Sequence, residues 1–278
     1  MPPRGHGVSA LRRTPVSVWN DDVTDWAAAL TYYAVLAIFP SLLVTVSLVG
    51  IIGDAARQNL ISDVIAVVPA GSQAVLGRAL EGMAAERSAA WMLAVFGTVS
   101  AVWSASSYLG VFRRALHAMH GVQDLRPVWK TAPRIVITAV ALLALLVTSA
   151  LALTLTGGLA PAAGRLLGVD GAATTAWNAL KWPILLCLAA VLVLVLFRSG
   201  PAETRGVRRR APGGALAVLL WLLASAGFAL YASHFGTYNR LYGSLAGIVI
   251  FLVWLWLSNL ALLTGAQFNA ELAKLRRE

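Results

Sequence analysis

Long runs without charge set the pattern of this chain. Stretches 26–53, 88–112, 135–164, 182–197, 211–239 and 241–270 contain no Lys, Arg, Asp or Glu. A helix needs about 20 apolar residues to cross the hydrocarbon core of a bilayer. Five of the runs pass that length easily and the fourth is short. The fourth reaches it if its helix begins near Trp177, with Lys181 snorkelling to the interface and Pro183 in the first turn. The predicted spans are 30–52, 90–110, 135–158, 179–197, 212–233 and 244–266, each to within a few residues. The expected fold class is all-α: a polytopic integral membrane protein with six transmembrane helices, forming a single membrane domain over residues 1–278. The first run begins too far in and lacks a small-residue cleavage site, so it is not expected to be a cleaved signal peptide.

The segment 54–89 has a different rhythm. Its pieces "NLISDVIAVV" and "QAVLGRALEGMAAE" alternate polar and apolar residues at helical spacing, and Val75, Leu76, Ala79, Leu80 and Met83 share one face. Two short amphipathic helices are expected in this first outer loop. They would lie on the leaflet or cap the bundle, as an ordered connector or as a gate.

Composition agrees with a bilayer as solvent. The chain is 59% hydrophobic and 12% charged, against about 25% charged in a typical soluble domain. The net charge of +10 alone would suggest nucleic acid. The basic residues instead sit in short blocks beside the apolar runs, so no nucleic-acid partner is expected. Sixteen of the twenty-two Lys and Arg residues fall on one side of the predicted spans, at the N-terminus, in 113–134, in 198–210 and in the tail. The positive-inside rule then puts both termini in the cytoplasm. Cys187 is the single cysteine, which rules out a disulfide framework and a thiolate metal site.

Little here suggests bond-breaking chemistry. His117 and His120 stand three apart, with Asp124 the one acid near them. Two histidines rarely hold a catalytic metal alone, and a basic helix facing solvent or headgroups explains them. Asp21, Asp22 and Asp25 precede the first span, where acids suit a helix N-terminus. There is no Walker glycine loop, HExxH or GxSxG motif. The expectation is a protein that is not an enzyme, with no cofactor and no bound metal.

Polar groups within the spans carry the remaining information. Pro40 removes a backbone hydrogen bond in the middle of the first span, as a kink of shape or as a functional break. Ser100, Ser104 and Ser107 line one face of the second, as a packing stripe or a polar pathway. Asn259 lies deep in the sixth, for an interhelical hydrogen bond or for a translocated solute. From 211 to 270 the one formal charge is Arg240, in the turn "SHFGTYNRLYGSLAG" at the outer face. Tyr238, Asn239 and Tyr242 surround it. A guanidinium there would hold carboxylate or phosphate by two parallel hydrogen bonds, or simply snorkel and cap a helix end. The candidate substrate-binding residues are therefore Arg240, Tyr238, Asn239, Tyr242, Asn259, Pro40 and Ser104.

Four stretches resemble the YihY/BrkB family of bacterial inner-membrane proteins. They are "AAALTYYAVLAIFPSLLV" (27–44), "VWSASSYLGVFRRALHAMHGV" (102–122), "APGGALAVLLW" (211–221) and "FGTYNRLYGSLAGIVIFLVWLWLSNLALLTGAQFNAEL" (235–272). That family usually has Ser where this chain has Ala37, and an acid where it has Gln267. The resemblance implies a six-helix protein of the bacterial inner membrane. Family labels include ribonuclease BN, virulence or serum-resistance factor, and transport. The expected function is a transporter or flippase-like carrier of an anionic or amphipathic envelope component. The alternatives are a membrane scaffold for an envelope-assembly partner, working through 54–89, and a ribonuclease BN-like activity. The expected partners are the lipid bilayer, an anionic solute or lipid headgroup, and a second copy of the chain or an envelope protein.

Overall fold

The computed structural model describes residues 5–52, 58, 62, 87–122, 127, 129–146, 148, 170–201, 206–233 and 244–277. Among these residues every regular element is a helix. They are α1 (Gly5–Asn20), α2 (Val23–Ile52), α3 (Arg87–Met119), α4 (Trp129–Leu146), α5 (Asp170–Phe197), α6 (Val207–Ser233) and α7 (Ser244–Leu275). The described parts of the predicted spans lie in α2 to α7, and most of 147–158 lies outside the described residues. Val95–Met119, Trp129–Leu146, Arg209–Tyr231 and Ile248–Leu275 are long and apolar enough to cross a membrane, and Val23–Ile38 and Pro183–Phe197 are shorter apolar helices. The chain is an all-α membrane protein. The amphipathic pieces expected in 54–89 lie almost wholly outside the described residues.

Two elements differ from expectation. α5 begins at Asp170, so Pro183 lies in its interior rather than in its first turn. The polar opening "DGAATTAWN" extends the helix beyond the apolar run used to place it. Its small residues Ala172, Ala173 and Ala176 are good helix formers. α1 was not expected at all. It turns Ala10 and Thr14 inward and leaves Val8, Leu11, Val16 and Trp19 exposed, Trp19 at 80%. Its buried face is thus built of small and polar side chains, and hydrophobic periodicity has nothing to register there.

The chain forms two compact units. One comprises 37–102 and 140–189, and holds Pro40 in a half-buried position and Ser41 buried. Its Val95, Phe96, Val99, Leu146, Leu180 and Ile184 are exposed, as lipid-facing side chains would be. The other comprises 1–36, 103–139 and 190–278, and contains α1, α6, α7 and parts of α2, α3, α4 and α5.

In that second unit α7 changes character along its length. Ile248, Val249, Phe251 and Val253 are exposed, whereas Leu263, Ala266, Gln267 and Ala270 are buried. Tyr108, Phe112 and Phe197 stack in sequence, with ring centroids 6.4 and 6.2 Å apart, and join α3 to the end of α5. Ala10 packs with Leu272, Leu275 and Phe268, which seats α1 on the end of α7. α6 meets α7 at a glycine pair. A Cβ on Gly213 would run into the Gly265 carbonyl, and one on Gly265 would run into the Gly213 carbonyl and stand 2.6 Å from the Ala217 Cβ. Small residues let two helix backbones approach this closely, and such packing is a main source of helix association in lipid.

That contact makes a prediction. Gly265→Val should cost about 1–3 kcal/mol through overpacking and lower the thermal midpoint of the purified protein in detergent. Gly227→Ala on α6, where an added Cβ meets nothing within 4 Å, should leave the midpoint unchanged. Equal midpoints for both variants would show that the helices do not cross at the glycines.

Candidate functional site

The polar residues of α7 fall on two faces. Trp256, Asn259, Gln267 and Glu271 recur at intervals of three, eight and four, so they share one side. That side serves α1, α2 and the turn between them. The Trp256 indole N–H donates to the Thr24 carbonyl at 3.3 Å. Gln267, fully buried, donates from Nε2 to Asp21 Oδ2 at 2.7 Å. The Ser17 hydroxyl donates to Glu271 Oε1 at 3.0 Å, which also receives Lys274 Nζ at 2.8 Å. The acidic cluster before α2 thus divides its work. Asp21 ties the turn to α7, while Asp22, at φ 49°, accepts the first helical bonds from Asp25 and Trp26 through its carbonyl.

Trp254, Gly265 and Asn269 lie on the other face and serve α6. The Trp254 indole donates to the Ser225 hydroxyl at 3.2 Å. Asn269 holds the start of α6 with both ends of its amide: Nδ2 donates to the Arg210 carbonyl at 3.1 Å, and Oδ1 accepts from the Gly213 amide at 2.8 Å.

This clamp fixes one wall of a cleft of about 320 Å³. Arg209 and Arg210 at the start of α6, and Arg276 and Arg277 at the end of α7, line it together with Asn269. Leu116, Phe197, Ala266 and Ala273 supply an apolar wall. Arg210 is buried at 8% exposure. Among the described residues no carboxylate lines the cleft.

His120 completes the cleft, and local structure explains its position. α3 ends in a Schellman turn: the Val122 amide donates to the His117 carbonyl and the Gly121 amide to Ala118, with Gly121 at φ 63°. Only a residue without a Cβ adopts that backbone freely. The turn leaves His120 as the C-cap, its Nδ1 2.7 Å from the Leu116 carbonyl. Its Nε2 is buried and has no hydrogen-bond partner. Burial pushes the imidazole below its ordinary value near 6.5, helped by the charges of His117, Lys274 and Arg277 and opposed by the bond to Leu116.

The sequence-predicted residues are placed as follows. Arg240, Tyr238, Asn239 and Tyr242 lie outside the described residues. Asn259 donates from Nδ2 to the Thr31 hydroxyl at 3.1 Å and accepts the Tyr108 hydroxyl at 2.8 Å, so α7, α2 and α3 meet at its amide. Ser104 is buried one turn before Tyr108. Pro40 belongs to the other compact unit and is described by itself. Among the described residues no three His, Cys, Asp or Glu side chains gather as a metal site would require. The arginine cleft was missed, because these residues were read only as topology markers. A signal was present: both Arg-Arg blocks flank spans on the same predicted side.

The family described as Virulence factor BrkB matches residues 15–278. A ribonuclease-like protein of Bacillus subtilis (strain 168), YfkH, is 24% identical over 260 residues, covering 90% of each chain. A UPF0761 membrane protein of Tolumonas auensis is 41% identical over 92 residues, 33% of this chain and 30% of that protein. Another from Xanthomonas oryzae pv. oryzae is 34% identical over 86 residues, 31% of this chain and 20% of that protein. No solved structure matches the chain.

Asn259→Leu should destabilise the protein by roughly 1 kcal/mol, since membrane interhelical hydrogen bonds average well under that each and two are lost. A thermal midpoint at or above wild type would show that the Thr31 and Tyr108 bonds contribute nothing. The His120 shift makes a second prediction. A folded-state value below the unfolded one means that the unfolded chain binds the extra proton first. The stability contribution is therefore complete above about pH 6.5 and is lost as the pH falls towards the lowered folded value. Melting from pH 7.5 to 5 should show a steeper acid loss for wild type than for His120→Gln, and parallel curves would refute it.

Proposed function

The chain belongs to the virulence factor BrkB family, and we propose that it is a carrier for an anionic, amphipathic component of the bacterial envelope. It works in the inner membrane with both termini in the cytoplasm. The observation that carries this reading is the arginine cleft where α6 begins and α7 ends. Guanidinium groups take phosphate or carboxylate by paired, charge-assisted hydrogen bonds. Apolar side chains form part of the same wall, as a ligand with a charged head and an oily body requires.

The helices that leave the cleft also support the reading. α6 and α7 lead from the two Arg-Arg blocks towards the segment that contains Arg240, on the expected outer side of the bilayer. On that expected topology the chain offers guanidinium groups towards both sides, with exposed leucines and valines of α6 and α7 between them. A carrier needs an acceptor at each face, and this arrangement supplies the charge for both. No covalent step belongs to this reading, and the ribonuclease-like name is that of the Bacillus subtilis relative.

The test is movement of a labelled anionic phospholipid between leaflets of vesicles containing the purified protein. Wild type should exceed protein-free vesicles. Arg240→Ala, and Arg276→Gln with Arg277→Gln, should each lower the rate about tenfold, the loss expected from one charged hydrogen bond, while melting stays cooperative. A wild-type rate equal to that of empty vesicles, or unchanged rates in both variants, would end the carrier reading.

A further inference from the structure

We propose that α1 lies in the membrane surface and binds anionic phospholipids of the leaflet where α2 begins, with Val8, Leu11 and Trp19 seated among the upper acyl chains. A two-residue turn, Asp21 and Asp22, joins α1 to α2, and the apolar run of α2 starts at Trp26. The C-terminal end of α1 is therefore at the height of the headgroups.

The direction of α1 follows from its contacts with α7. Ser17 bonds to Glu271, and Ala10, two turns earlier, packs with Phe268, Leu272 and Leu275. Both ends of that interval meet the same short stretch of α7, so α1 crosses the helix instead of running along it. α7 is long and apolar enough to span a bilayer. A helix that crosses a span at its polar end lies along the membrane surface. The crossed stretch carries Asn269, Glu271 and Lys274, side chains suited to a headgroup layer and costly in hydrocarbon.

Around its axis α1 has three sides. Ala10, Thr14 and Ser17 face the protein. Ser9, Arg13 and Asn20 form an exposed polar side. Val8, Leu11, Pro15 and Trp19 form an exposed apolar side, with Arg12 and Val16 at its margin. Ser9 and Leu11 stand two residues apart and point to nearly opposite directions, at about 100° per residue. A helix held between water and lipid needs one exposed side of each kind, and Trp favours that boundary. Charge selects the lipid. Residues 5–20 contain Arg12 and Arg13 and no carboxylate, and basic side chains at a membrane surface favour anionic headgroups. Arg12 also disfavours a second copy as the occupant. A lipid surface lets a long side chain rise from an apolar margin to the phosphates, whereas a seam between two α1 helices would bring two guanidinium groups together.

The experiment uses the full-length protein in nanodiscs of phosphatidylcholine and phosphatidylglycerol in equal parts. Cys187→Ala removes the single native thiol. An environment-sensitive fluorophore is then attached at Leu11→Cys or, on the polar side, at Ser9→Cys, and each labelled variant is kept only if it melts cooperatively. Brominated acyl chains should quench the label at 11 and spare the one at 9, and iodide in the buffer should do the reverse. In phosphatidylcholine alone the label at 11 should become more open to iodide. Arg12→Gln in the mixed nanodiscs should lower the ratio of lipid to iodide quenching at 11 about fivefold, the effect of one basic residue at an anionic surface. Equal iodide quenching at 9 and 11 overturns the proposal, because both sides then face water. A label at 11 shielded from both quenchers overturns it in favour of a protein partner, a second copy if cysteines at 11 crosslink. Shielding that is the same in neutral and mixed nanodiscs, or unchanged by Arg12→Gln, overturns the anionic headgroup.

Discussion

Asn269 is the small contact on which the larger compact unit of this protein turns. Its amide gives a hydrogen to one backbone carbonyl of α6 and takes one from a backbone amide a turn later. Hydrocarbon offers helices little hydrophobic reason to prefer each other over lipid. Close backbone passage at Gly213 and Gly265, locked by the amide, supplies what burial would supply in water. Without that lock Arg209 and Arg210 would have no fixed relation to Arg276 and Arg277, and the cleft would be a surface charge cloud.

The rest of α7 extends the same principle along its other face. Trp256, Asn259, Gln267 and Glu271 each have a partner on a different segment: Thr24, Thr31 and Tyr108, Asp21, and Ser17. α7 thus ties its compact unit together by hydrogen bonds as well as by apolar contact. Gln267 is the instructive member. It stands beside the carboxylate of Asp21. An amide avoids like-charge repulsion at 2.7 Å and donates instead. Its Oε1 remains buried without a partner, a cost the position accepts in exchange for the bond to Asp21.

Most of the helices were legible because lipid imposes a simple rule: charge-free runs of sufficient length become spans. The rule fails for α1. Its inward face is Ala10, Thr14 and Ser17, and its apolar side chains point outward, so no periodicity marks it. It also misplaces the start of α5, since "DGAATTAWN" is polar enough to resemble a loop. Asn259 was legible as an intramembrane polar residue, but its partners were not. Thr31 and Tyr108 are 228 and 151 residues away, and sequence spacing carries no information on such pairs. The cleft was hidden for a different reason. Its arginines already had a satisfactory explanation as topology markers, and only the fold shows that the Schellman turn places His120 beside them.

The contact between Ser17 and Glu271 joins residues 254 apart. Together with Ala10 on Leu272 and Leu275, it ties the first helix to the last few turns of the chain. During synthesis the leading segment emerges from the ribosome long before its docking surface exists. It must wait undocked until residues 268–275 have been made. The assembled state is thus gated by the last turns of α7, and a chain released before them lacks the surface that would gather in α1.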